Sequence, residues 1–238
     1  MRPQSLPPTF NPSRIEWDLK HSPSHQQYED FFKEEFRKAP TIPNDFLKPQ
    51  SLWLEIGAGT GQFFESMARL HPDKNLVALE RDRMRGKRLA RRTEEAGLKN
   101  FLGIRGNAIS ALIKGVPQNS LERVYILYPC PWPKNSHRKH RWHFHPVMPH
   151  LLNALEPGGL IILASDQKFY VEEAHYVWEK QYGLEVLKAG EISAHPLNAL
   201  ELFPGGRTKF ERTFLDQGQP CYEVIVKKPV LIDPSIFT

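Results

Sequence analysis

From residue 51 onward the chain alternates between two kinds of segment. "SLWLEIGAG", "NLVALE", "NFLGIRGN", "LERVYILYP", "LIILASD" and "LEVLKAGE" are short apolar runs that read as strands. Between them, "GQFFESMARLHP", "RDRMRGKRLARRTEEAG", "AISALIK", "FHPVMPHLLNALEPGG" and "QKFYVEEAHYVWEKQYG" read as helices, the second capped by Gly97 and the fourth, interrupted by proline, stopped by Pro-Gly-Gly. "PCYEVIVKKP" alternates like a final strand. Near-continuous apolar strands need covering on both faces, and strands joined by helices run parallel. The pattern therefore specifies an α/β fold, a mostly parallel sheet with helices on both sides. In such sheets ligands lie outside the carboxyl ends of the strands, so the residues that follow each strand should carry the chemistry.

The 238 residues suffice for one sizeable core. We divide them into an N-terminal proline-rich arm, residues 1–45, and a main domain, residues 46–238. The arm holds one expected helix, in which Tyr28, Phe31, Phe32 and Phe36 share a stripe. No run of about 18 apolar residues predicts a membrane span. "MRPQSLPPTFNPSR" has no apolar signal core, so a cytoplasmic protein is expected. Cys130 and Cys221 are two distant cysteines, which make neither a disulfide framework nor a zinc site. His137, His140, His143 and His145 lack a carboxylate or thiolate to complete a compact set, and no metal is expected.

The net charge of +5 gains meaning from its distribution. "RDRMRGKRLARR" holds Arg81, Arg83, Arg85, Lys87, Arg88, Arg91 and Arg92, and its bland reading is a solvated helix face. "KNSHRKHRWH" follows a proline cluster and interleaves Lys134, Arg138, Lys139 and Arg141 with histidines and a tryptophan. Loop cations among such rings suit phosphate and base together, so nucleic-acid contact is expected there.

The first strand ends in Glu55, Gly57, Gly59 and Gly61, and the second in Glu80. Glycines let a ligand approach the backbone, and a carboxylate can accept both hydroxyls of a ribose. Together they indicate a nucleoside cofactor. A dinucleotide site would show a third glycine at G-x-G-x-x-G, where this chain has Gln62. S-adenosylmethionine, which has no pyrophosphate, fits better, although a nicotinamide oxidoreductase stays open. Asn107 can bond an adenine edge or cap a helix, and Ala108 leaves room for the ring face.

"LEIGAGTG", "ALE", "GNA", "YPCPWPK" with its basic loop, "ASD" and "TKFER" occur in the order found in bacterial tRNA (guanine-N7-)-methyltransferases, which the chain resembles from about residue 50 to 228. The resemblance implies a Rossmann-like class I methyltransferase with seven strands, the last antiparallel, that uses S-adenosylmethionine, yields S-adenosylhomocysteine and modifies tRNA as a monomer or homodimer. It implies cofactor contacts at Glu55, Gly57, Glu80 and Asn107, to which the residue reading adds Gly59 and Ala108. It implies substrate contacts at Lys134, Asp166, Thr208, Lys209 and Glu211, to which the basic loop adds Arg138. Cys130 stands where the family has an aspartate assigned as the active-site acid. Guanine N7 carries a free lone pair and needs no base, so orientation and nearby negative charge do most of the work. Asp166 and Glu211 are the expected carboxylates, since a neutral thiol accepts poorly. A relative acting on another base, and a weakly active RNA-binding protein, remain as alternatives.

Overall fold

A computed structural model describes residues 33, 39–47, 51–192, 202–203 and 205–230. Most of the arm, including Tyr28, Phe31, Phe32 and Phe36, lies outside the described residues. The short helix α1 (Asn44–Leu47) precedes the sheet. Strands β1 (Leu52–Ile56), β2 (Asn75–Glu80), β3 (Phe101–Arg105), β4 (Leu121–Leu127), β5 (Leu155–Ser165), β6 (Glu185–Glu191) and β7 (Tyr222–Lys227) form one sheet in the order β3-β2-β1-β4-β5-β7-β6. The first five pair in parallel, and β7 runs antiparallel to both β5 and β6. The expected mixed seven-stranded sheet is therefore present.

Alternation along β1 shows how the layers divide. Leu52, Leu54 and Ile56 enter one core with Leu151, Phe169 and Val177. Trp53 enters the other with Phe63, Phe64, Met67 and Leu89. Helices α2 (Gln62–Leu70) and α3 (Arg83–Ala96) cover the Trp53 face. Helix α4 (Ala108–Ser110, continuing as a π turn, Ala111–Gly115), α5 (Met148–Ala154) and α6 (Lys168–Lys180) cover the other. Among the described residues no helix is long and apolar enough to cross a membrane.

Two local expectations change. "FHPVMPHLLNALEPGG" is helical only over α5, preceded by 3-10 turns at Asn135–His140 and Trp142–Phe144. Its Pro-Gly-Gly does not stop a helix but lies inside β5, where Leu155 already pairs with Leu121 and Gly158 N–H bonds the Lys228 carbonyl at 2.8 Å. Proline lacks a ladder donor, so the strand pairs irregularly there, which an apolar-run criterion does not detect. Helix α7 (Lys209–Asp216) was not expected; Thr208 caps it, its hydroxyl accepting from Glu211 N–H at 3.0 Å.

Strand order reverses between β1 and β4, where Ile56 pairs with Ile126. The loops that leave these two strands therefore flank the crevice of the switch point.

Candidate active site

The turn after β1 holds Gly57, Gly59 and Gly61 at φ 78°, 60° and 76°, in the left-handed region. Nothing lies within 4 Å of where a Cβ would stand on Gly57 or Gly59, so the turn opens outward. A Cβ on Gly61 would instead meet Leu89 Cδ1 at 2.4 Å. Gly61 thus does the close packing that a third glycine does in a dinucleotide motif, one position earlier. Glu80 ties this turn to the next. It accepts from Gly59 N–H at 2.9 Å and from Asp82 N–H at 2.8 Å, and is 4% exposed. Glu55 is 3% exposed on the same sheet face as Trp53, and its Oε2 has no hydrogen-bond partner among the described residues. Burial, then the Glu80 carboxylate, pushes its carboxyl up to about 8. Asn107 caps α4, accepting from Ile109 N–H at 3.2 Å, and Ala108 is buried behind it.

Across the crevice, the segment after β4 is strained and tied down. Tyr128 and Trp132 have φ of 53° and 46°, a conformation uncommon outside glycine. Tyr128 N–H bonds the Ala164 carbonyl at 2.8 Å, and its hydroxyl donates to Glu211 Oε1 at 2.6 Å. Burial, then Glu211, holds that phenol well above its ordinary pKa, so it remains a donor. The Trp132 carbonyl accepts from Arg141 Nη2 at 2.9 Å, and its ring packs 4.9 Å from His140. Cys130 and Lys134, within this braced stretch, are exposed.

The brace is a buried carboxylate that the sequence reading missed. Glu173, on α6, is 1% exposed and pairs with Arg141, with Arg138 Nη2 at 3.2 Å and with His143 Nε2 at 3.3 Å. Burial would raise the Glu173 carboxyl, but His143, Arg141 and Arg138 outweigh it and hold it below the ordinary range. The available signal was an acid on the apolar face of α6, one turn from Phe169, Tyr170 and Val177. A second buried set lies beneath α7. Arg207 joins Glu211, at 2.6 Å from Nη2 to Oε1, with Glu223, while Lys188 Nζ lies 3.1 Å from Glu223. Two cations and two anions make this set neutral.

These contacts correct two expected roles and add a second role at Thr208. Arg138, expected to touch substrate, is buried against Glu173. Glu211, expected as a site carboxylate, is 0% exposed and engaged by Arg207 and Tyr128, so it positions Tyr128 and does not face a base. Thr208 is a helix cap. Asp166 stays at the carboxyl end of β5, half-buried, accepting from Gln167 Nε2 at 2.5 Å and not capping α6. Lys209 is exposed, and beside it Phe210, 44% exposed, packs 4.9 Å from Tyr128. Among the described residues no group of His, Cys, Asp and Glu is arranged to hold a metal ion.

Along the sheet edge the order is therefore Asn107, Glu80, the glycine turn, Tyr128 to Lys134, and Asp166. An open glycine turn tied to the buried Glu80 carboxylate lies on one side of the switch point, and a braced loop with a cation and a carboxylate on the other. A family model described as "Putative methyltransferase" matches residues 49–224. The tRNA (guanine-N(7)-)-methyltransferase of Nitrosococcus oceani is 32% identical over 182 residues, 74% of this chain and 71% of that protein. The protein of the same name from Thermotoga maritima is 28% identical over 193 residues, 79% of this chain but only 59% of its own length. Among solved structures, a SAM dependent methyltransferase from Aquifex aeolicus shares the fold, with a TM-score of 0.51 and 14% identity over 92% of this chain and 99% of that one.

Proposed function

The chain belongs to the tRNA (guanine-N(7)-)-methyltransferase family, and from that premise we propose that it methylates N7 of a guanosine in tRNA, in the variable loop, using S-adenosylmethionine. The observation that carries this is the pairing, across one switch point, of an open glycine turn and a braced loop bearing Lys134 beside Asp166. The residues present fit the cofactor. Gly57 and Gly59 leave space for it, Glu80 offers a carboxylate for ribose hydroxyls, Asn107 and Ala108 suit the adenine, and the Glu55 oxygen awaits a partner. When bound, S-adenosylmethionine supplies an electrophilic methyl group and becomes S-adenosylhomocysteine.

The chain's own residues orient the guanine. N7 presents an in-plane lone pair, so no side chain has to remove a proton before attack, and rate comes from a fixed pose. Asp166 supplies a carboxylate that can accept from the ring N1–H and the exocyclic amine, and its charge favours the ring as it becomes cationic. Lys134 meets phosphate or substrate, and the exposed face of Phe210 offers a stacking surface for a base. Glu211 acts through Tyr128, and Glu173 through Arg141, to keep the loop in its strained form.

The family match beginning at residue 49 supports reading 1–45 as an arm and 46–238 as the catalytic domain. A tRNA substrate supports a cytoplasmic setting, with the chain acting as a monomer or homodimer. Purified full-length protein with labelled S-adenosylmethionine and bulk tRNA is expected to form 7-methylguanosine; absence of that product overturns the proposal. Cys130 favours one second reading, a tRNA-binding relative of low turnover, which tRNA binding without product would support.

A further inference from the structure

We propose that the outer face of α3, together with Arg81 and Arg105, is a second tRNA contact surface that grips the phosphate backbone. It rests on tRNA being the substrate. The two basic runs of the sequence exchange roles in the fold. In the loop after β4, Arg138, Arg141 and His143 turn inward to Glu173. On α3, Arg85 approaches Glu80 and Asp82 at 3.5 and 3.7 Å, Arg91 pairs with Glu95 at 2.6 Å, and Arg92 with Glu65 at 2.7 Å. Arg81, Arg83, Lys87 and Arg88 are exposed and have no ion-pair partner among the described residues.

Helix stability does not account for that placement. Asp82 caps α3 by accepting from Met84 and Arg85 N–H, but the first turn itself contains no acid, and Arg83 and Arg85 there oppose the helix macrodipole. Arg83, Lys87 and Arg91 recur at i, i+4 spacing, where like charges repel. A polyanion lying on this face relieves both oppositions. A further cation is admitted from β3. Gly86 is buried in the first turn of α3, and a Cβ there would meet Arg105 Cγ at 2.7 Å, so the stem of the exposed Arg105 packs against the helix at that point. The patch begins at Arg81, directly after Glu80 of the cofactor cradle, and α3 extends roughly 21 Å from there. RNA gripped at the Arg81 and Arg83 end of it lies beside that cradle. RNA suits this face because its anions are regularly spaced.

The test compares full-length wild type with an Arg83→Ala/Lys87→Ala/Arg88→Ala variant in tRNA-binding titrations across a salt series. Expected are a tenfold or greater loss of affinity at about 0.1 M salt and a log–log salt slope shallower by about 2. Calorimetry should show S-adenosylhomocysteine affinity unchanged, and Arg83→Lys/Arg88→Lys should keep the wild-type slope. Unchanged affinity and slope in the alanine variant, with wild type still forming 7-methylguanosine, overturns this surface and leaves the guanine-N7 proposal intact. Wild type that neither binds tRNA nor forms product overturns both. Loss of binding to anionic phospholipid vesicles, with tRNA binding intact, would assign the face to a membrane and overturn the proposal.

Discussion

Replacing Glu173 by Gln keeps the side-chain shape and removes one negative charge from a site that holds two guanidinium groups. Those groups belong to Arg138 and Arg141, whose side chains are 10% and 0% exposed. Neither can regain water without opening the loop after β4. Removing one partner of a buried ion pair costs about 3–5 kcal/mol, because the remaining charge stays desolvated. Against a total stability of about 5–15 kcal/mol, that is a large fraction, and for a domain of this size it lowers the melting temperature by roughly 10 °C or more. Urea unfolding followed by circular dichroism at pH 7.5 measures the difference. Methylation should also fall, because Arg141 loses the anchor from which it holds the Trp132 and Pro133 carbonyls. A Glu173→Leu/Arg141→Met double variant separates the two effects. It should recover part of the stability, having no lone charge at Arg141, but not the activity, having no donor for those carbonyls. The Glu173 carboxyl is held below its ordinary value, so its contribution is complete above about pH 4.5 and is lost as the pH falls through its folded value. Glu173→Gln within 1 kcal/mol of wild type at pH 7.5 would refute the reasoning.

Glu55 works in the opposite direction: with its folded pKa raised to about 8, its stabilising contribution is present below about pH 4.5 and is lost as the pH rises through 8. Glu55→Gln should therefore match wild type near pH 5 and exceed it by a few kcal/mol at pH 8.5 in urea unfolding, while cofactor affinity drops. His145 accepts from Val147 N–H through Nδ1 at 3.1 Å, which requires the neutral ring, and burial followed by His140 lowers its pKa to about 4. The unfolded chain then binds the extra proton more readily, so up to about 3 kcal/mol of stability is lost as pH drops from about 6.5 to 4. His145→Asn, which keeps an acceptor that does not titrate, should flatten that part of the profile; an unchanged profile counts against the assignment. Cys130→Asp places a carboxylate on the exposed loop at the switch point and should raise 7-methylguanosine turnover about tenfold or more; a fall in turnover would show the thiol to be the better group here.

The strands, and the glycine turn with Glu80 at the next strand end, could be read directly from the sequence, because both are local. A strand buried on two faces must be apolar throughout, and a glycine turn followed by an acid at the next strand end is a short-range pattern. The second half of the site was read less well. Pro157, Gly158 and Gly159 look like a helix stop, yet they lie in a strand whose partner, Leu121, is far off in sequence. Arg138 and Arg141 look like RNA contacts in a basic loop, and nothing within that loop announces Glu173. Glu211 matches a family motif and still faces inward, because Arg207 and Tyr128 enclose it.

By itself, then, the sequence determined the parallel sheet, the carboxyl edge at which ligands lie and the identity of the residues delivered to it. Period and spacing encode these within a few residues. Only the tertiary structure decided which charges are free. Arg138 meets Glu173 across 35 positions and Tyr128 meets Glu211 across 83, and those encounters depend on how helices dock on the sheet. Burial makes each such pairing nearly obligatory, since an unpaired charge in the interior is too unfavourable to persist. The cations left over on α3 stay in water with no partner from the described protein, and RNA can provide one.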